Sequence, residues 1–141
     1  TNTAELADRA VDELSGGQRQ RVWIAMALAQ ATDILLLDEP TTFLDISHQI
    51  EVLDLLTDLN RERGTTVVMV LHDLNLAARY ADRIVVMCDG AVAAEGTPRE
   101  TITSDLLRHV FHIDVAVAQS ENGTPYLLPQ LMRAATAINS Q

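Results

Sequence analysis

The order of apolar and polar residues predicts that strands and helices alternate between residues 34 and 87. The uninterrupted apolar run at 34–37 is typical of a short strand buried in a parallel sheet. Apolar residues then recur every three or four positions between 46 and 59, which predicts a helix that Gly64 ends. A second apolar run at 65–71 predicts another strand, and a helix follows at 74–80. Strand–helix–strand alternation of this kind favours a parallel α/β sheet.

The flanking segments predict smaller elements. Ser15 is a suitable N-cap for a helix whose pattern covers 20–30, and Trp23 in that helix is expected to pack in the core. The dipeptide Asp89-Gly90 predicts a hairpin between strands at 84–87 and 91–94. The other predicted elements are a short helix within 4–13, a capping box at 97–100, a helix at 106–111, a hairpin of strands 115–118 and 126–128, and a loose tail from 129.

The charge and composition narrow the functional classes. The chain of 141 residues has 10 basic and 20 acidic residues, a net charge of -10, and every basic residue is arginine. Without lysine there is no phosphate-binding loop that ends in Lys, and the acidic balance argues against sequence-independent nucleic-acid binding. A single cysteine, Cys88, fits a reducing compartment. The start has neither an initiator Met nor signal-peptide character, and the longest uncharged stretch, 22–32, is about half of a membrane span. We therefore expect a cytoplasmic fragment or processed chain.

Polar side chains follow both predicted strands of the sheet. Asp38-Glu39 follows the first strand and His72-Asp73 the second, at the strand ends where parallel α/β sheets bind ligands. One carboxylate suits Mg²⁺ with a bound phosphate, and the other suits a base that deprotonates water. Taken alone, the acidic pair also fits a turn or helix cap, and His72 also fits a structural hydrogen bond. Ser15-Gly16-Gly17 at a helix start fits either an anion site or an ordinary cap.

Four motifs occur in one order along the chain. They are Leu14-Ser15-Gly16-Gly17-Gln18-Arg19-Gln20-Arg21, Ile34-Leu35-Leu36-Leu37-Asp38-Glu39-Pro40, Leu44-Asp45 and His72-Asp73. In this order they strongly resemble the signature motif, Walker B strand with catalytic glutamate, D-loop and H-loop of the ATP-binding subunits of ABC transporters. The resemblance runs from about residue 4 to about residue 128. Segments 19–30, 41–49 and 71–82 are similar to the subfamily that imports iron–siderophore complexes, haem and vitamin B12.

The resemblance implies a catalytic role for three matched residues. Asp38 would position Mg²⁺ through water, and Glu39 would be the general base for the water that attacks ATP. His72 would contact and sense the γ-phosphate. A helix start that stabilises charge on the transferring phosphoryl group agrees with this chemistry.

The resemblance also implies a two-subunit assembly. Asp45 would couple the two sites of a dimer, and an ATP held mainly by the second subunit would be bound by Ser15, Gly16 and Gly17, with Gln18 beside them. The partners would be a second ATP-binding subunit, with a homodimer favoured, and a pair of transmembrane permease subunits. The chain would lie on the cytoplasmic face of the membrane, held there only through the permease, and would not bind nucleic acid.

The family's Walker A loop, glutamine loop and adenine-stacking aromatic are absent from the sequence. The resemblance therefore implies an α/β fold that is the C-terminal part of a P-loop NTPase domain, a parallel sheet with flanking helices plus the end of the helical subdomain. The Walker A strand would lie beside the 65–71 strand, so the sheet is incomplete without it and its edges invite association. The expected segments are 1–31 (end of the helical subdomain), 32–96 (Walker B to H-loop), 97–128 (C-terminal helices and hairpin) and 129–141 (tail). We expect the chain alone to be marginally stable or to associate, and to lack ATPase activity.

Two other functions remain open at this point. The first is an ABC-type ATPase of DNA repair or translation, against which the charge of -10 and the hairpin after 81–82 argue. The second is a catalytically inactive regulatory module, against which the intact Glu39 and His72 argue.

Overall fold

The computed structural model describes residues 3–128, and the predicted tail at 129–141 lies outside them. The chain divides into two compact units, and the boundary between them along the sequence lies between Asp73 and Leu74. In the first unit, two short 3₁₀ turns at Ala4–Leu6 and Val11–Glu13 take the place of the short helix expected within 4–13. The elements that follow are α1 (Gly16–Ala29), β1 (Ile34–Leu37), α2 (Ile46–Arg63) and β2 (Thr66–Met69).

The predicted parallel pairing in the first unit is confirmed. Strands β1 and β2 are parallel, and Leu35 pairs with Val67. Helix α2 connects them and ends at Gly64, whose φ of 69° is the left-handed conformation that glycine adopts without strain. Strand β2 is shorter than the predicted run. Val70 lies just beyond its end, and the Val70 N–H still donates one hydrogen bond to the Leu37 carbonyl oxygen.

The core of the first unit lies on one face of this two-stranded sheet. Ile24 of α1, Leu35 of β1, and Val52 and Leu56 of α2 form a buried cluster that Leu44 completes. Side chains alternate between the two faces of a strand, so the same pairing sends Ile34, Leu36, Val68 and Val70 to the opposite face. All four are at least half exposed, and Leu36 reaches 73%. Parallel sheets are normally covered on both faces, so this sheet lacks a layer within residues 3–73.

The prediction that Trp23 packs in the core is wrong for the described chain. Trp23 is 53% exposed, whereas the next residue, Ile24, is 2% exposed. The helix turns Ile24, Ala27 and Leu28 towards the sheet, and Trp23 lies about 100° away from Ile24 around the helix axis.

The second unit contains the remaining predicted elements with small shifts at their ends. They are α3 (Leu74–Tyr80), β3 (Ile84–Cys88), β4 (Ala91–Gly96), α4 (Pro98–Thr101), α5 (Ser104–Val110), β5 (Ala116–Gln119) and β6 (Pro125–Leu128). Strands β3 and β4 form the hairpin predicted from Asp89-Gly90, and both turn residues have positive φ. Strands β5 and β6 form the second predicted hairpin. None of the described helices has both the length and the apolar character that crossing a membrane requires.

Candidate functional site

Glu39 and His72 meet at the ends of neighbouring strands. Glu39 follows β1 by two residues, His72 follows β2 by three, and His72 Nε2 lies 2.7 Å from Glu39 Oε1. This contact confirms that the two sequence clusters share one edge of the sheet, as parallel strands require. Both side chains remain accessible, at 72% for His72 and 40% for Glu39, so a ligand can reach them.

The carboxylate of Glu39 has a second partner that the sequence reasoning missed. Thr42 Oγ1 donates a hydrogen bond to Glu39 Oε2 at 3.0 Å. The contact with His72, followed by that with Thr42, lowers the pKa of Glu39 below its ordinary value. Glu39 is therefore ionised at neutral pH, which a group that accepts a proton requires. The sequence does contain a signal for this contact. Pro40 favours a turn directly after Glu39, and Thr42 places a hydroxyl three residues after Glu39.

The backbone that presents Glu39 is strained. Glu39 has φ of 48°, a left-handed conformation that costs a non-glycine residue about 1 kcal/mol or more. Phe43 adopts φ of 66° in the same loop and is 92% exposed. Conformations of this kind persist where the surrounding structure holds them, and they cluster at functional sites.

The start of α1 has the cap that the sequence predicts. Ser15 Oγ accepts a hydrogen bond from the N–H of Gln18, and Gln18 Oε1 accepts one from the N–H of Ser15. The helix itself offers no acceptor to the first-turn N–H groups, among them those of Gly16 and Gly17. Accepting a bond leaves the Ser15 hydroxyl hydrogen able to donate. Phosphate recognition at this helix start therefore remains a prediction. In it, Gln18 holds the helix start in place through its hydrogen bonds with Ser15.

The helix start packs against the loop that carries Asp45. A Cβ atom on Gly17 would lie 3.1 Å from Cδ2 of the buried Leu44, and one on Gly16 would lie 3.9 Å from Cβ of Phe43. The second glycine of the motif is thus the one that allows this close approach. The two sequence motifs at 14–18 and 44–45 are neighbours in space.

Asp45 caps α2 and contacts residues of that helix. Its Oδ1 accepts hydrogen bonds from the N–H and ring of His48, at 3.0 and 2.8 Å, and from the hydroxyl of Ser47 at 2.9 Å. These hydrogen bonds lower the pKa of Asp45 to about 2, and the bond from the backbone N–H of His48 has the largest effect. His48 thus takes part in the cap of this helix. A coupling role for Asp45 between two sites remains a prediction.

Asp38 is an exposed carboxylate directly after β1. In the described part of the chain, no cluster of three or more histidine, cysteine or carboxylate side chains could hold a metal by itself. Mg²⁺ commonly takes one or two protein carboxylates and completes its shell with water and substrate phosphate. Asp38 therefore fits an ion that arrives with a nucleotide, and this role also remains a prediction.

Comparison with known proteins agrees with the motifs. Residues 1–42 match the ABC transporter family. The chain is 59% identical over 130 residues to a probable siderophore transport system ATP-binding protein, YusV, of Bacillus subtilis, covering 92% of this chain and 47% of that protein. It is 50% identical over 141 residues to the ferric enterobactin transport ATP-binding protein FepC of Escherichia coli, covering 99% of this chain and 52% of that protein.

Solved structures give the same result for the fold. An inward-facing putative metal-chelate type ABC transporter matches with a TM-score of 0.81 and 34% identity, over 93% of this chain and 53% of that chain. A bacterial ABC transporter cassette, solved as a dimer, matches with a TM-score of 0.63 and 45% identity, over 67% of this chain and 40% of that chain.

The fold, the motif order and these matches define the class: the chain is part of an ABC transporter ATP-binding domain. It spans about half the length of the curated relatives that it matches. Within the class it is similar, at 44% identity or more, to ATP-binding proteins of siderophore transport, ferric enterobactin transport and hemin import.

Proposed function

We propose that the chain is the catalytic C-terminal portion of an ATP-hydrolysing subunit that powers import of an iron(III)–siderophore complex or of a related iron, haem or cobalamin substrate. The observation that carries the proposal is the pair of Glu39 and His72, joined at 2.7 Å at the ends of two parallel strands. The names of the similar proteins support the iron-chelate class of cargo.

In this proposal Glu39 is the general base of ATP hydrolysis. Its lowered pKa keeps the carboxylate ionised, and its 40% exposure lets a water molecule reach it. His72 donates to the γ-phosphate, which its exposed ring can approach. Asp38 holds Mg²⁺ through water, and the ion when bound neutralises charge on the phosphates. Each role uses a side chain at the carboxyl end of β1 or β2.

The second half of the site is the start of α1, facing an ATP bound mainly by another subunit. The hydroxyl of Ser15, the backbone N–H groups of Gly16 and Gly17 and the helix dipole favour a phosphate group there. Asp45, in the loop that packs on this helix start, couples the two sites. We propose that the second ATP-binding subunit is a copy of the same protein, as dimeric solved relatives suggest. The permease subunits hold the assembly at the cytoplasmic face of the membrane.

We also propose that the chain by itself is inactive and associates. It contains no lysine, so it cannot supply the lysine of a Walker A loop. Within residues 3–128, β2 pairs only with β1, and the second face of that sheet exposes four aliphatic side chains. Exposed apolar surface and open strand edges both favour association.

A chimeric subunit tests the proposed function. In it, this chain replaces the matching 130 residues of the Bacillus subtilis relative, which supplies the other half. We expect Mg²⁺-dependent ATP turnover that Glu39→Gln abolishes and that Glu51→Gln, at an exposed position of α2, leaves intact. A chimera that folds but lacks turnover, or a Glu39→Gln variant that keeps it, would contradict the proposal. Growth on a siderophore in cells that lack the native subunit tests the class of cargo separately.

A further inference from the structure

The two carboxylate oxygens of Glu39 have different kinds of partner. Oε1 contacts His72, which lies 33 residues further along the chain and is 72% exposed. Oε2 accepts from the hydroxyl of Thr42, which is half-buried in the same loop. One contact thus depends on an accessible ring, and the other is built into the loop that carries Glu39.

Several features fix the position of Thr42. Its N–H donates to the Glu39 carbonyl oxygen at 3.1 Å, which closes a tight turn through residues 39–42. Pro40 inside the turn is fully buried, and its ring fixes the backbone there. Threonine is β-branched, so its χ1 angle has little freedom. Glu39 itself has φ of 48°, a left-handed backbone conformation that persists only where the surrounding turn holds it.

We propose that Thr42 is a positioning residue that holds the general base, an inference that rests on the proposed function. When His72 turns to the γ-phosphate, Nε2 leaves Oε1, which becomes free to accept the proton of the attacking water. Oε2 stays bonded to Thr42, so the carboxylate keeps its direction during that exchange. Without this bond the carboxylate rotates about its side-chain torsions once His72 has left.

The test compares three variants in the chimera described above. Thr42→Val keeps the shape of the side chain and removes the donor, Thr42→Ser keeps the donor, and Thr41→Val makes the same change one residue earlier. We expect Thr42→Val to lower kcat on the order of 10- to 100-fold, because misplacing a catalytic group costs that much. KM for ATP should change by less than about twofold, since ground-state binding does not use Thr42. Thr42→Ser should restore most of kcat, and Thr41→Val should match the wild type.

Three results would overturn the inference: kcat of Thr42→Val within about twofold of the wild type, an equal loss in Thr41→Val, or a loss that a lower melting temperature and a higher KM accompany. If Thr42→Val has the kcat of the wild type while Glu39→Gln is inactive, only the positioning role of Thr42 is disproved. Turnover that survives Glu39→Gln would instead sink the proposed base, so the two failures are distinguishable.

Discussion

The two glycines at the start of α1 should differ in how their replacement by alanine changes the stability of the fold. Both are in the first turn of a 14-residue helix, and neither has the positive φ that demands glycine. A Cβ at position 16 would meet Phe43 at 3.9 Å, an ordinary contact. A Cβ at position 17 would meet Leu44 at 3.1 Å, and Leu44 is buried in the core of the first unit.

The magnitudes follow from two competing effects. Alanine is favoured over glycine within helices by up to about 1 kcal/mol, so Gly16→Ala should raise the free energy of unfolding by about 0.5–1 kcal/mol. Gly17→Ala has the same advantage but must displace Leu44, and overpacking a core costs about 1–3 kcal/mol. The two variants should therefore differ by about 1–3 kcal/mol, with Gly17→Ala at or below the wild type. Because the substitutions are identical and adjacent, their effects on the unfolded chain nearly cancel.

Urea denaturation followed by circular dichroism measures this difference. We expect the midpoint to rise for Gly16→Ala and to stay level or fall for Gly17→Ala. Adding Leu44→Val to Gly17→Ala should remove part of the penalty, so that the double variant is more stable than the sum of the single changes. Equal stability of Gly16→Ala and Gly17→Ala, or strict additivity with Leu44→Val, would refute the packing explanation.

Three further predictions concern stability and association. The pKa of Asp45 falls from 3.8 to about 2 on folding, so its stabilising effect is complete above pH 3.8 and disappears as the pH falls towards 2. Urea midpoints measured between these pH values should therefore fall more steeply for the wild type than for Asp45→Asn. Ile24→Ala should lower the free energy of unfolding by about 2–5 kcal/mol and Trp23→Ala by clearly less, and equal losses would contradict the observed burial. Leu36→Thr should reduce the particle mass of the isolated chain in light scattering, and an unchanged mass would argue against association through the bare sheet face.

The candidate site shows which parts of the prediction depended on local sequence. Ser15 and Gln18 form their cap within four residues, and Asp89-Gly90 forms its turn within two, so both were predictable from residue types alone. The meeting of Glu39 and His72 also followed from the sequence, because parallel strands bring their carboxyl ends to one edge. Thr42 was missed because its contact depends on the backbone of the 39–42 turn, whose presence Pro40 signals but whose geometry residue types alone do not specify.

The sequence by itself determined the class of this protein, its elements and the edge of the sheet where its chemistry lies. These depend on periodicity, capping and motif order, which short stretches of chain encode. Only the tertiary structure decided that Trp23 faces outwards, that Gly17 rather than Gly16 accommodates Leu44, and that one face of β1 and β2 is bare. Each of these depends on which surfaces meet between distant segments. A strand shows the same pattern of apolar residues in the sequence whether or not a neighbouring layer covers its second face.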